Sequence, residues 1–122
     1  MAKILVVEDA PAVRLVVVEV LTDAGHAVFE AQDGREALGV LEKQAFDLVI
    51  TDILMPEVDG IEVIKAIRQH YPNTKILAIS GGAPHLPAGF ALKLSQMFTA
   101  DAVLYKPFLN DELNASVTAL TG

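Results

Sequence analysis

The chain has 122 residues, 52% of them hydrophobic, which is one domain of ordinary size with enough apolar side chains for a real core and excludes a disordered chain. It has no cysteine, which excludes disulfides, thiolate catalysis and zinc fingers. A formal net charge of -7 with only 9 Lys and Arg excludes the clustered basic surface that direct nucleic-acid binding needs.

Met1 runs almost at once into strand-like sequence, with no charged leader and no apolar stretch long enough to span a bilayer. The expectation is a single cytoplasmic domain over residues 1–122, away from the membrane. Lys3–Val7 reads as a strand and Pro11–Ala24 as a helix, with Pro11 suited to the first turn and Gly25 to the stop. Val16-Val17-Val18 is poor helix chemistry, so packing must hold that helix. Ala27–Ala31 is a strand. Asp33 caps a helix over Gly34–Lys43, with Glu36 at capping-box spacing. Leu48–Thr51 is the central strand, ended by Met55-Pro56 and Asp59-Gly60. Asp59 caps Gly60–His70, with Ile61, Ile64 and Ile67 on one face. Lys75–Ile79 is a strand, Ala88–Thr99 a helix and Ala102–Tyr105 a strand. Asn110 caps the last helix, with Asp111 and Glu112 at its positive end.

Strands that are apolar on both faces and alternate with helices predict an α/β fold. This is a doubly wound, five-stranded parallel sheet with helices on both faces. Ligands in such sheets bind at strand carboxyl ends, near the point where strand order reverses. Glu8, Asp9, Asp52, Ser80 and Lys106 all fall at carboxyl ends.

Three clustered carboxylates repel one another, and a hard divalent cation relieves the strain. Mg²⁺ suits one or two carboxylates plus a phosphate. Asp9 and Asp52 can be direct ligands and Glu8 can act through water. Asp52 can then attack a phosphorus atom and form an acyl phosphate. Lys106 supplies a cation, Ser80 a hydroxyl, and the loop after Ser80 backbone N–H groups for the phosphoryl oxygens.

Each residue also has a plainer reading. Glu8-Asp9 is a solvated strand-to-helix turn, Asp52 a cap or turn residue, Lys106 a surface lysine before proline. Ser80-Gly81-Gly82 is a turn signal that lacks the Gly-Lys-Ser/Thr ending of a phosphate loop. Only their joint placement, in order, at the matching ends of successive strands argues against the plainer readings.

With these residues in place the chain resembles the receiver domain of two-component response regulators, over essentially Lys3 to Leu120. The resemblance rests on Glu8-Asp9, on Asp52-Ile53-Leu54-Met55-Pro56 with Asp59-Gly60, on Ser80, and on Lys106-Pro107-Phe108. It implies the flavodoxin-like strand order 2-1-3-4-5. It implies that Asp52 accepts a phosphoryl group from a histidine kinase or histidine phosphotransfer protein. The implied Mg²⁺ site comprises Asp9, Asp52 and the backbone carbonyl of Leu54, with Glu8 in support. Ser80, Gly81 and Lys106 would read the phosphoryl group, and the Lys106-Pro107 bond would be cis. A downstream target protein would bind the switched form of a monomer or weak phosphorylation-dependent dimer. The domain would promote only its own phosphorylation and dephosphorylation, and would not be an enzyme acting on other molecules.

Two features depart from the family pattern. Val103 stands where an aromatic residue usually sits, so Tyr105, on the same strand face, or the helix after Ser80 is expected to carry part of the output signal, on a surface of the last two helices and the last strand that presents Val103 and Tyr105. The stretch from Gly81 to Gly89 is rich in glycine and proline and predicts a long, irregular loop. The sequence favours a receiver without its own output domain, with a receiver taken from a larger regulator as the alternative. An aspartyl-nucleophile phosphatase is disfavoured because Leu54 stands where its second acid would be. A flavin binder is disfavoured because Glu8-Asp9 would repel the flavin phosphate.

Overall fold

The computed structural model describes residues 1–53, 60–80 and 100–122. The strands are β1 (Lys3–Val7), β2 (Ala27–Ala31), β3 (Leu48–Asp52), β4 (Lys75–Ser80) and β5 (Ala102–Tyr105). The helices are α1 (Pro11–Asp23), α2 (Gly34–Lys43), α3 (Gly60–His70) and α4 (Asn110–Thr121). All the strand pairs are parallel, in the order β2-β1-β3-β4-β5, as expected. The expected helix Ala88–Thr99, the cap Asp59, the breaker Met55-Pro56 and the loop from Gly81 to Gly89 lie outside the described residues.

Side-chain alternation along each central strand divides the core into two halves. Leu5, Val7, Val49, Ile76 and Ala78 face one side, against Ala37 and Leu41 of α2 and Val63, Ile64 and Ile67 of α3. Ile4, Val6, Leu48, Ile50, Leu77 and Ile79 face the other, against Val17 and Leu21 of α1 and Leu113 and Val117 of α4. Each fully buried Leu or Ile contributes about 1.5–3 kcal/mol relative to exposure, so this double layer is the main stabilising term.

Full burial on both faces holds for the three inner strands but not for the outer two. Phe29 on β2 is 38% exposed and Tyr105 on β5 is 42% exposed, because an edge strand has no neighbour on one side.

The helices start and stop for local reasons. The Asp33 carboxylate accepts from the Glu36 N–H at 2.8 Å and caps α2. Gly25 adopts φ 96° after α1. Its N–H donates to the Thr22 carbonyl at 3.0 Å and the His26 N–H donates to the Leu21 carbonyl at 3.1 Å, a Schellman ending. Asn110 does not cap the last helix but is its first helical residue. Leu109 takes the cap position, and the Glu112 carboxylate reaches back to accept from the Leu109 N–H at 2.9 Å. This is the returning half of a capping box: the acid in the first turn satisfies the N–H of the cap residue, while leucine has no side-chain acceptor to offer the amides of the first turn.

At the amino edge of the sheet, side chains lock the strands together. The Asp47 carboxylate accepts from the Lys3 N–H at 2.8 Å, and the Asp47 carbonyl accepts from the Lys75 N–H at 3.0 Å. The Asp101 carboxylate accepts from the Ile76 N–H and from the Arg68 guanidinium, both at 2.7 Å.

Gly60 sets how closely α3 approaches the end of β3. Its N–H donates to the Ile53 carbonyl at 3.0 Å. A Cβ there would overlap the Asp52 carbonyl oxygen and lie 2.7 Å from Ile53 Cα. Gly39 in α2 has open space where its Cβ would go. The two glycines therefore predict alanine substitutions of opposite sign. Gly60→Ala is expected to destabilise by about 3 kcal/mol, the upper part of the usual overpacking cost. Gly39→Ala is expected to stabilise by about 0.5–1 kcal/mol. Urea unfolding of both variants measures this, and a neutral Gly60→Ala would refute the close-approach reading.

Candidate acidic and lysine site

The same alternation that builds the core places the charged residues. Ile4 and Val6 point to the α1/α4 side, and two residues on comes Glu8. Leu48 and Ile50 point the same way, and two residues on comes Asp52. On β5, Leu104 is followed by Lys106. Val7 pairs with Thr51, so Glu8 and Asp52 are side by side on adjacent strands, one rung beyond the last apolar row.

Both carboxylates are withdrawn from water, Glu8 to 2% and Asp52 to 6% exposure. Such burial is costly for a charge without a partner. Lys106 supplies the partner: its Nζ donates to Glu8 Oε1 at 2.7 Å and to Asp52 Oδ2 at 2.8 Å. The Lys106–Pro107 peptide bond is cis, as the resemblance implies. Burial works against the ammonium charge, but the hydrogen bonds to Asp52 and Glu8 and their charges outweigh it, holding Lys106 above the usual lysine range.

Asp9 is the exposed member of the group, at the mouth. Partial loss of solvent, then a hydrogen bond to Glu8 and the charge of that neighbour, raise its carboxyl above the ordinary aspartate value. One oxygen from each of Glu8, Asp9 and Asp52 lies within 4.8 Å of the others. Three carboxylates against the single Lys106 ammonium leave a formal charge of -2 (−3 + 1) in this cluster. Oxygen donors alone, in that number and with that residual charge, fit a hard divalent cation such as Mg²⁺ and not a soft metal.

The structure thus brings Glu8, Asp9, Asp52 and Lys106 together. The backbone of Ser80 ends β4, paired with Tyr105 at the same edge of the sheet. Leu54 and Gly81 lie outside the described residues. Val103 is half-buried against the α2/α3 half of the core, whereas Tyr105 is substantially exposed.

Two contributors went unread in the sequence. Gly60 was taken as a strand breaker and not as the contact that seats α3 on Asp52. Arg14 carried no motif signal; it lies on α1, and its Nη1 donates to the Glu8 carbonyl at 2.7 Å while its Nε donates to Glu30 Oε1 at 3.1 Å.

The family model for the response regulator receiver domain matches residues 4–118. The chain is 36% identical over 118 residues to the alkaline phosphatase synthesis transcriptional regulatory protein PhoP of Bacillus subtilis, covering 97% of this chain and 48% of that protein. It is 35% identical over 121 residues to the transcriptional regulatory protein TcrA of Mycobacterium tuberculosis, covering 98% and 46%. The chain therefore spans about half the length of these curated relatives. Among solved structures, chemotaxis protein CheY4 of Vibrio cholerae superposes with a TM-score of 0.87 at 34% identity, over 98% of both chains. By fold, by site and by these matches, the chain belongs to the response regulator receiver family.

Proposed function

We propose that Asp52 is the phosphoacceptor of a signalling switch, charged by a histidine kinase or histidine phosphotransfer protein. The observation that carries this reading is a buried Asp52 carboxylate at the carboxyl end of β3, bonded to Lys106 and flanked by Glu8 and Asp9. Asp9 and Asp52 would hold Mg²⁺ directly, Glu8 through water. The ion, when bound, offsets carboxylate charge and steadies the phosphoryl oxygens.

In the transfer, an Asp52 oxygen forms a bond to phosphorus as the bond from phosphorus to the donor's nitrogen breaks. The donor keeps that electron pair and Asp52 becomes an acyl phosphate. Lys106, already within hydrogen-bond distance of Asp52, is placed to pair with the new phosphoryl oxygens, with the Ser80 hydroxyl and the backbone around Gly81 as further donors. The domain turns over no other substrate on this reading.

Two contexts suit this switch: a receiver that acts by itself on a target protein, or a receiver joined to an output domain, as in the longer curated regulators it matches over about half their length. The size of the native protein in its own cells separates the two. Among the described residues no helix is long and apolar enough to cross a membrane.

Intact-mass measurement after incubation with Mg²⁺ and a small acyl phosphate is expected to give one phosphoryl adduct, absent from Asp52→Ala. An adduct that persists in the variant would remove Asp52 from the role. Lys106→Met removes the ammonium from between two buried carboxylates. Breaking a buried pair costs about 3–5 kcal/mol, and the partly exposed lysine reduces the expected loss to about 2 kcal/mol without divalent ions. Mg²⁺ should restore part of that stability by binding the folded state. Urea titrations in chelator and in Mg²⁺ test both statements, and a variant as stable as the parent in chelator would contradict them. The Tyr105 ring is expected to change its NMR environment when a phosphoryl analogue and Mg²⁺ are added. An unmoved ring would take it out of the output surface.

A further inference from the structure

The peptide group between Glu8 and Asp9 joins the two acids of the site, and its orientation fixes where the Asp9 side chain leaves the backbone. The register of β1 with β3 ends at Val7, so the Glu8 carbonyl projects beyond that ladder. The Arg14 guanidinium accounts for it, donating at 2.7 Å from Nη1. The same side chain is braced from behind, where Nε donates to Glu30 on the edge strand β2 at 3.1 Å. The Glu8 N–H donates to the Ala31 carbonyl at 3.0 Å, so β2 grips the acidic turn twice, once by backbone and once through Arg14.

We propose that Arg14 is a positioning residue for the cation site, holding the Glu8–Asp9 peptide so that both carboxylates meet Asp52. This rests on the reading of Glu8, Asp9 and Asp52 as a Mg²⁺ site. Arg14 contacts neither the ion nor the phosphoryl group; it acts through the backbone carbonyl. A planar guanidinium presents several donors in a rigid fork and satisfies carbonyl and carboxylate together. The single nitrogen of a lysine keeps the charge without spanning both acceptors.

The proposal makes a prediction opposite in sign to simple electrostatics. Removing a positive charge near a cation site by itself strengthens cation binding. Releasing the acidic turn weakens it. Calorimetric titration of the chain with Mg²⁺ decides between the two, using the parent, Arg14→Gln, Arg14→Lys and Glu30→Gln. Arg14→Gln is expected to bind Mg²⁺ about tenfold more weakly, the lower end of the loss usual when a group supporting metal ligands is removed. Arg14→Lys should recover less than half of that loss, and Glu30→Gln should weaken binding by a smaller factor because it only braces the guanidinium. Backbone amide spectra should show Glu8, Asp9 and Ala10 moving in the folded variants, with the far end of α1 unmoved. Equal or tighter Mg²⁺ binding by either folded Arg14 variant, with the parent binding normally, would overturn the positioning role. If Arg14→Gln does not fold, Arg14→Lys carries the decision. A parent that does not bind Mg²⁺ would instead bring down the cation-site reading, and this proposal with it.

Discussion

Two carboxylates on neighbouring strands cannot be taken out of water together unless a cation goes with them, and Lys106 meets that condition for Glu8 and Asp52. Its Nζ is within 2.8 Å of both. The arrangement is weak grounds for stability, since an apolar trio of similar volume would do as well or better. What it does is bring Asp52 next to a second acid with an ammonium already beside both. The rest of the fold is the means of holding that arrangement at one edge.

The two edges of the sheet use acids in contrasting ways. At the amino edge, Asp47 and Asp101 accept from backbone N–H groups of β1 and β4, so their charges are consumed in tying strands together. At the carboxyl edge, Glu8, Asp9 and Asp52 face one another, and Glu8 also accepts from the Ala10 N–H at 3.2 Å. Acids that meet other acids, with one lysine among three, leave a residual charge for a ligand to complete.

Much of this was legible in the sequence because it follows from period two. The apolar runs Ile4–Val7, Leu48–Ile50 and Ile76–Ile79 are buried on both faces, and such runs specify a parallel sheet without reference to any single contact. Glu8 and Asp52, just past the first two runs, and Lys106, just past Ala102–Tyr105, then fall at the carboxyl edge, so the sequence alone groups them. Alternation within each run places all three on one side of the sheet as well. The register that sets Glu8 beside Asp52 needed the structure, since strand pairing depends on long-range packing. Asn110 reads as a cap because asparagine before two acids is a common cap pattern, but the helix starts at Asn110 itself and Glu112 reaches back to the N–H of Leu109. Arg14 was invisible because its partner is a backbone carbonyl, which every residue has.

The placement of Lys106 also says which part of the sheet feels a change at Asp52. β1 and β3 are interior strands, fixed by neighbours on both sides and by both halves of the core. β5 is an edge strand with one neighbour, four residues long, and partly exposed along three of them. Lys106 follows it directly and leads through Pro107 to α4. On the proposed reading, charge added at Asp52 would draw the ammonium after it, on backbone that directly follows an edge strand. Tyr105, next in the chain and exposed, sits on that same backbone. One ion pair and one peptide group thus join Asp52 to an exposed ring, while half-buried Val103 packs against the α2/α3 half of the core.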